Sequence, residues 1–185
     1  MSEVPPIVPS LRSPVVLWGL GGVLLLLGRA IARLTPMALE PLERGDLSGL
    51  HLAFGGIWVA GMVWSEGWRG FHQRFAPRAV RRAAYLHAAP LPVRLLAPLA
   101  CMGLVWATPR RRRASALVLC FVIAAIVSVR WLPYPWRGLV DAGVVAGLGV
   151  GVASLLWHLV RGWSGTLPAI DPDLPDQALQ ASQPR

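Results

Sequence analysis

The chain alternates between long apolar stretches and short polar connections rich in arginine. A helix needs about 20 apolar residues to cross the ~30 Å hydrocarbon core of a bilayer. Stretches near this length predict about five transmembrane helices. They cover residues 13–31, 47–66, 91–108, 114–131 and 138–160. Because these stretches lack the two-residue alternation of barrel strands, the pattern predicts an all-α, polytopic membrane helical bundle.

The polar connections predict two further features. A shorter helix is expected over residues 77–89, because Pro77 suits a first helical position. Its arginines fall on one side and Ala79 and Ala83 on the other, which is typical of a helix lying on the membrane surface. Residues 166–185 are polar, acidic and proline-containing, so we expect a disordered tail after a bundle formed by residues 1–165.

The first apolar stretch has two interpretations. It is followed by Ala30-Ile31-Ala32, a small-x-small pattern that resembles a signal-peptide cleavage site. The region before it, however, contains Glu3, several prolines and a single arginine, which is unlike the basic start of a signal peptide. A retained first helix is the favoured interpretation, with four helices if this stretch is removed.

Composition supports a membrane protein: 55% of the residues are hydrophobic and 15% are charged. All 18 basic residues are arginines, and they lie between the apolar stretches, which fits lipid headgroups better than nucleic acid. We expect an integral protein of the bacterial inner (cytoplasmic) membrane. The predicted headgroup contacts are Arg78, Arg81, Arg82, Arg110, Arg111, Arg112 and Arg113.

Orientation is not decided by the charges. If five helices cross the bilayer, the arginines divide equally between the two sides, so the positive-inside rule favours neither. The tight turn with Arg110–Arg113 is the hardest segment to translocate, which favours a cytoplasmic position for it.

The last apolar stretch carries a stripe of small residues, Gly143, Gly147 and Gly151. Glycines four residues apart on a transmembrane helix let a neighbouring helix approach closely. Helix packing is the favoured interpretation. The alternative is a flat tetrapyrrole lying on the glycines, with His158 as its axial ligand.

Two histidines and two carboxylates are the candidate chemical groups. In the five-helix arrangement His51 and His158 lie on the same side of the membrane, where two imidazoles could ligate haem, bacteriochlorophyll or copper. Carboxylates at membrane edges usually pair with arginine, so we expect ion pairing in two places. The residues concerned are Glu66 with Arg69 and Asp141 with Arg137. Cys101 and Cys120 lack metal-type spacing, and no dedicated metal site is predicted.

The segment 50–77 resembles the copper-resistance D-like membrane family and its haem-binding relatives. The resemblance lies in His51, Trp58 and Gly61, and in the Arg-Phe-Ala-Pro sequence that ends at Pro77. It implies that His51 is a haem or copper ligand. A shorter stretch, SLLWHLVRGW (154–163), resembles bacterial antenna polypeptides, which implies that His158 binds bacteriochlorophyll.

No nucleotide-binding loop, dinucleotide fingerprint, metalloprotease motif or nucleophile elbow is present. An enzyme is therefore not favoured. We interpret the chain as an accessory or structural subunit that packs against other transmembrane subunits of a larger complex, for which respiratory and photosynthetic assemblies are examples. The alternatives are a small haem-, chlorophyll- or copper-binding membrane protein using His51 and His158, and a small transporter.

Overall fold

Helices account for all of the regular structure in the computed structural model, which describes residues 10–175. No strand occurs in that range, so the all-α prediction is confirmed. A π-helical segment, Val63–Phe75, lies between two α-helices, and a 3-10 turn occurs at Leu86–Ala88. The α-helices are α1 (Pro14–Arg44), α2 (Gly49–Met62), α3 (Ala76–Ala83), α4 (Leu91–Leu95), α5 (Ala97–Cys101), α6 (Pro109–Val129) and α7 (Trp136–Trp163).

Three of these helices are long and apolar enough to cross a membrane: α1, α6 and α7. They correspond to the predicted helices 13–31, 114–131 and 138–160. The first is longer than predicted, because α1 continues through Pro36 and Pro41 to Arg44. Each proline lacks the N–H that would bond to the carbonyl four residues back, Ala32 for Pro36 and Met37 for Pro41, and membrane helices tolerate such prolines.

The predicted second helix, 47–66, is part of a longer helical stretch. Ser48 caps its start, and helical structure continues without a break from Gly49 through the π-helical segment to Ala83. The predicted surface helix 77–89 differs from the structure, where α3 ends at Ala83. Its small residues are fully buried, and so is Arg82, because α3 packs into the protein on more than one side.

The predicted third helix, 91–108, does not exist as one helix. Two short helices, α4 and α5, replace it and are separated by Leu96. Pro92 and Pro98 each stand in the first turn of one of them, where a missing N–H is tolerated. In one helix over 91–108, Pro98 would be interior and would remove a backbone hydrogen bond, and the observed break at Leu96 lies just before it. Gly103, at φ +74°, then turns the chain in a conformation that favours glycine.

The described residues form two compact units. Unit 1 contains the chain up to Leu24, Pro77–Leu117, and the chain from Trp157 onward. Unit 2 contains Leu25–Ala76 and Val118–Leu156. In unit 1, α1 approaches α5 so closely that a Cβ on Gly22 would lie 2.5 Å from Pro98 Cγ.

The predicted disordered tail is also corrected in part. Residues 166–175 have no helix, but Pro172 and Leu174 are buried in unit 1. The Thr108 N–H donates to Asp173 O at 2.9 Å, which attaches this segment to the residues just before α6. The rest of the predicted tail, 176–185, lies outside the described residues.

Candidate functional site

His51, the predicted cofactor ligand on α2, is part of the cap that begins this helix. Its backbone N–H donates to Ser48 Oγ at 3.4 Å, and its ring Nδ1 accepts the Ser48 backbone N–H at 3.3 Å. The ring also packs edge-on against Trp136, with 4.9 Å between centroids. These contacts give His51 a local role in starting the helix, because they satisfy two backbone groups that a helix end otherwise leaves unpaired.

The cap also fixes which nitrogen of His51 carries the proton. A backbone N–H can only donate, so Nδ1 must be the unprotonated nitrogen, and Nε2 carries the hydrogen in the neutral ring. A metal needs an unprotonated nitrogen. Coordination through Nε2 would require the other tautomer and would break the bond from Ser48. The geometry therefore favours the cap over a ligand.

His158, the second predicted ligand, lies on α7 in unit 1, whereas His51 belongs to unit 2. Its side chain is half-buried and makes interactions within the protein. Among residues 10–175, no group of three or more His, Cys, Asp or Glu side chains is placed to hold a metal ion. The two predicted ligands therefore belong to different compact units.

The glycine stripe of α7 is filled by side chains from the stretch that begins with α2. A Cβ on Gly143 would overlap Trp58, and one on Gly151 would lie 2.8 Å from the ring of Phe71. The indole of Trp58 also donates to Val140 O at 3.1 Å. The stripe is thus a helix-packing surface inside unit 2, and its groove holds aromatic side chains where the tetrapyrrole interpretation would place a ligand.

The contacts with α7 continue into the π-helical segment at a changed interval. Hydrogen bonds in a π-helix run between residues five apart, so such residues lie on one side. Three positions at this interval contact α7: Met62 with Gly147, Gly67 with Val150, and His72 with Ser154. Partners on α7 are three or four residues apart, which is one turn of an α-helix. Successive contacts are therefore about one turn apart along both the π-helical segment and α7.

His72 is a polar contact that the sequence reasoning missed. Ser154 Oγ donates its hydrogen to Val150 O at 2.7 Å, so it accepts from His72 Nδ1, which is 3.2 Å away. Trp68 stacks on the imidazole at 4.4 Å. The serine was visible as a small residue continuing the glycine stripe, but the five-residue interval that brings His72 to it was not predictable from an α-helical wheel.

The predicted ion pairs differ in outcome. Arg137 Nε lies 3.8 Å from Asp141 Oδ2, within the first turns of α7, and Asp141 is buried. In contrast, no ion pair joins Glu66 to Arg69 in the part of the chain that the structure describes. Both are exposed on the π-helical segment, where the longer turn changes the relation between residues three apart.

Arg82, predicted to contact lipid headgroups, is instead buried in unit 1 with 1% exposure. Its guanidinium donates to Pro172 O at 2.7 Å, to Cys101 O at 3.1 Å and to Asp173 Oδ2 at 3.2 Å. Arg82 thus joins α3, the end of α5 and the segment 166–175.

Two further predicted headgroup arginines turn toward the same segment. Arg78 Nε lies 3.6 Å from Asp173 Oδ2, and Arg81 Nη1 donates to Pro168 O at 3.2 Å. The arginines at the start of α6 differ: Arg110, Arg112 and Arg113 are exposed, and Arg111 is half-buried beside Gly103. Only the α6 group therefore keeps side chains directed to the surroundings of the protein.

These observations define the class of the chain as an all-helical protein with helices that can cross a membrane, compatible with an integral membrane protein. No family model matches the sequence, and neither a curated protein nor a solved structure matches it. The resemblance of residues 50–77 to the copper-resistance D-like family stays a prediction.

Proposed function

We propose that this chain is an integral membrane accessory subunit that packs against another transmembrane protein, and that α6 is the surface it uses. One observation carries the proposal: α6 is as apolar as a membrane-crossing helix requires, yet none of its apolar window is buried inside the protein. The glycine stripe of α7 serves internal packing, so it is not the docking surface. A helix whose apolar window is exposed in this way is available to a neighbour in the bilayer.

The composition of α6 supports a helix as its neighbour. Small residues recur at every fourth position along one side: Cys120, Ala124 and Ser128. Such spacing allows two helix backbones to approach closely, and van der Waals packing is the main source of helix association where both helices are already surrounded by lipid. The opposite side, represented by Val122, carries branched residues that suit acyl chains.

We further propose four membrane crossings in place of five. The unbroken stretch Gly49–Ala83 is long enough to add one crossing to α1, α6 and α7, whereas α4 and α5 are each far too short. With four crossings, the start of α1, the end of Gly49–Ala83, the start of α6 and the end of α7 lie on one side of the membrane. This side carries most of the arginines, including Arg110–Arg113. The positive-inside rule places this side in the cytoplasm and resolves the equal division found for five helices.

The test uses the full chain, tagged and expressed in its own membrane. A benzophenone attached to Cys120, which is exposed, should cross-link a neighbouring transmembrane protein on illumination, whereas Cys101 is buried and stays unlabelled. Ala124→Leu should abolish the adduct and the co-purification of the same partner in mild detergent. Val122→Leu, on the opposite side of α6, is the matched control and should retain both.

The proposal fails if illumination gives no protein adduct and the purified chain is monomeric without a partner. It also fails if Ala124→Leu and Val122→Leu lower the adduct equally, because the contact would then not depend on the small-residue side. An adduct of twice the chain mass would identify the neighbour as a second copy and would contradict an accessory role.

A further inference from the structure

An open cavity of about 380 Å³ lies in unit 1 beside the first turns of α6. Its lining combines two arginines with apolar groups. The residues are Leu104, Pro109, Arg112, Arg113 and Ala116. A mostly apolar cavity with two arginines among its lining residues fits a ligand with an anionic head and an apolar body.

Among residues 10–175, no carboxylate forms an ion pair with the arginines of this cavity. In the described part of unit 1 the only carboxylates are Asp171 and Asp173. Asp173 is bound by Arg82 and Arg78, and Asp171 accepts the backbone N–H of Asp173 at 2.7 Å. The described residues therefore offer Arg112 and Arg113 no acidic partner. They also stand at the N-terminal end of α6, where the helix dipole adds further positive potential.

The apolar side of the cavity leads onto a hydrocarbon surface. Leu117 and Phe121 follow the cavity-lining Arg113 at four-residue intervals on α6, and they are 70% and 71% exposed. An acyl chain that begins at Leu104 and Ala116 can therefore continue along α6 without leaving an apolar environment. A small inorganic anion would contact the arginines but would leave this side of the cavity uncovered.

From these contacts we infer that the cavity at the start of α6 is a binding site for an anionic phospholipid. Arg112 and Arg113 hold the headgroup phosphate, since guanidinium groups bind phosphate oxygens in a bidentate way. The beginning of the acyl chains lies against Leu104, Pro109 and Ala116. A zwitterionic headgroup brings its own ammonium group close to the arginines, so an anionic lipid is preferred. This inference does not depend on the accessory role proposed above.

Thermal unfolding of the full chain, purified and delipidated in a neutral detergent, tests the site. Phosphatidylglycerol should raise the Tm, and phosphatidylcholine at equal concentration should not. In Arg112→Gln/Arg113→Gln the affinity for phosphatidylglycerol should fall about tenfold or more, because charge-assisted hydrogen bonds are lost. Arg29→Gln/Arg33→Gln is the matched control, since it removes the same charge from two exposed arginines four residues apart on α1, and it should keep the shift.

A second variant separates the cavity from general attraction between charges. Ala116→Phe keeps every arginine but fills the apolar side, and Ala116 is exposed, so folding should be unchanged. We expect the affinity for phosphatidylglycerol to fall while the Tm without lipid stays the same. Arg112→Lys/Arg113→Lys keeps the charge without bidentate geometry and should retain part of the shift.

Four results would overturn the inference. Equal stabilisation by phosphatidylcholine would show that headgroup charge is irrelevant. Equal losses in the two double glutamine variants would indicate attraction to any arginine. An unchanged affinity in Ala116→Phe would exclude the cavity. A full shift with inorganic phosphate alone would assign the site to a free anion.

Discussion

α6 and α7 have the same mean hydropathy, 2.0, over their most apolar windows, and each carries small residues at every fourth position. Their environments nevertheless differ. In α7, 39% of the window is buried inside the protein, whereas in α6 none is. Hydropathy therefore identifies both as helices that are able to cross a membrane, but it does not distinguish a helix packed inside its own chain from one whose apolar side chains are exposed.

The difference is explained by which small residues form each stripe. α7 uses glycine at Gly143, Gly147 and Gly151, and only glycine leaves room for an aromatic ring to lie against the backbone. α6 uses alanine, cysteine and serine, whose Cβ atoms suit a helix-to-helix contact at a slightly larger distance. Aromatic side chains of the same chain cover the glycine stripe of α7. The small residues of α6 are exposed in the described part of the chain.

The largest expected effect comes from adding bulk to the packed stripe. Gly143→Leu should lower the free energy of unfolding by about 3 kcal/mol or more, because the new side chain overlaps Trp58. Gly149→Leu on the same helix is the control and should cost less than about 0.5 kcal/mol, since nothing lies within 4 Å of its Cβ position. Unfolding by SDS in mixed micelles measures both; equal effects would contradict the packing of α7.

A smaller effect is expected from removing an aromatic ring on each side of the comparison. Phe71→Ala should cost about 2 kcal/mol, because the half-buried ring covers Gly151. Phe121→Ala on α6 should change the free energy of unfolding by less than about 0.5 kcal/mol, as its ring is 71% exposed. If Phe121→Ala were the more damaging of the two, α6 would have a partner inside the chain.

The smallest expected effect is a difference in the free energy of unfolding between two serine substitutions. Both serines make the same hydrogen bond within their own helix. Ser154 on α7 and Ser128 on α6 each donate to the carbonyl four residues back, at 2.7 Å and 2.9 Å. Only Ser154 also accepts from His72, so Ser154→Ala should cost about 1 kcal/mol and Ser128→Ala less than about 0.5 kcal/mol. The same SDS titration measures both variants. An unchanged free energy of unfolding in Ser154→Ala would show that the His72–Ser154 hydrogen bond does not stabilise the packing of α7.

Local features of the sequence predicted much of this fold. Apolar length identified the segments that became α1, α6 and α7, and glycine spacing identified the face of α7 that others contact. The prolines were also informative, because Pro98 disfavours one helix over 91–108 and the break lies just before it. Hydropathy alone predicted a helix there, since proline changes the backbone while it hardly changes the apolar character of a stretch.

Long-range pairing is what the sequence could not supply. Arg82 looked like one of several surface arginines, and Asp173 looked like part of a polar tail. Their contact, across 91 positions, buries the arginine and orders the segment 166–175. Nothing in the pattern around either residue distinguishes it from its neighbours, and the pairing depends on how α3 and α5 pack.

The π-helical segment has a practical consequence for any scan of this region. In a scan with substitutions at every third or fourth residue, the positions after Met62 would no longer lie on the side that contacts α7. Residues that face solvent or lipid would then be mistaken for internal ones. Every fifth residue after Met62, namely Gly67 and His72, lies on the side that contacts α7. Cysteine pairs or spin labels that measure the distance between the π-helical segment and α7 should therefore be placed at five-residue intervals.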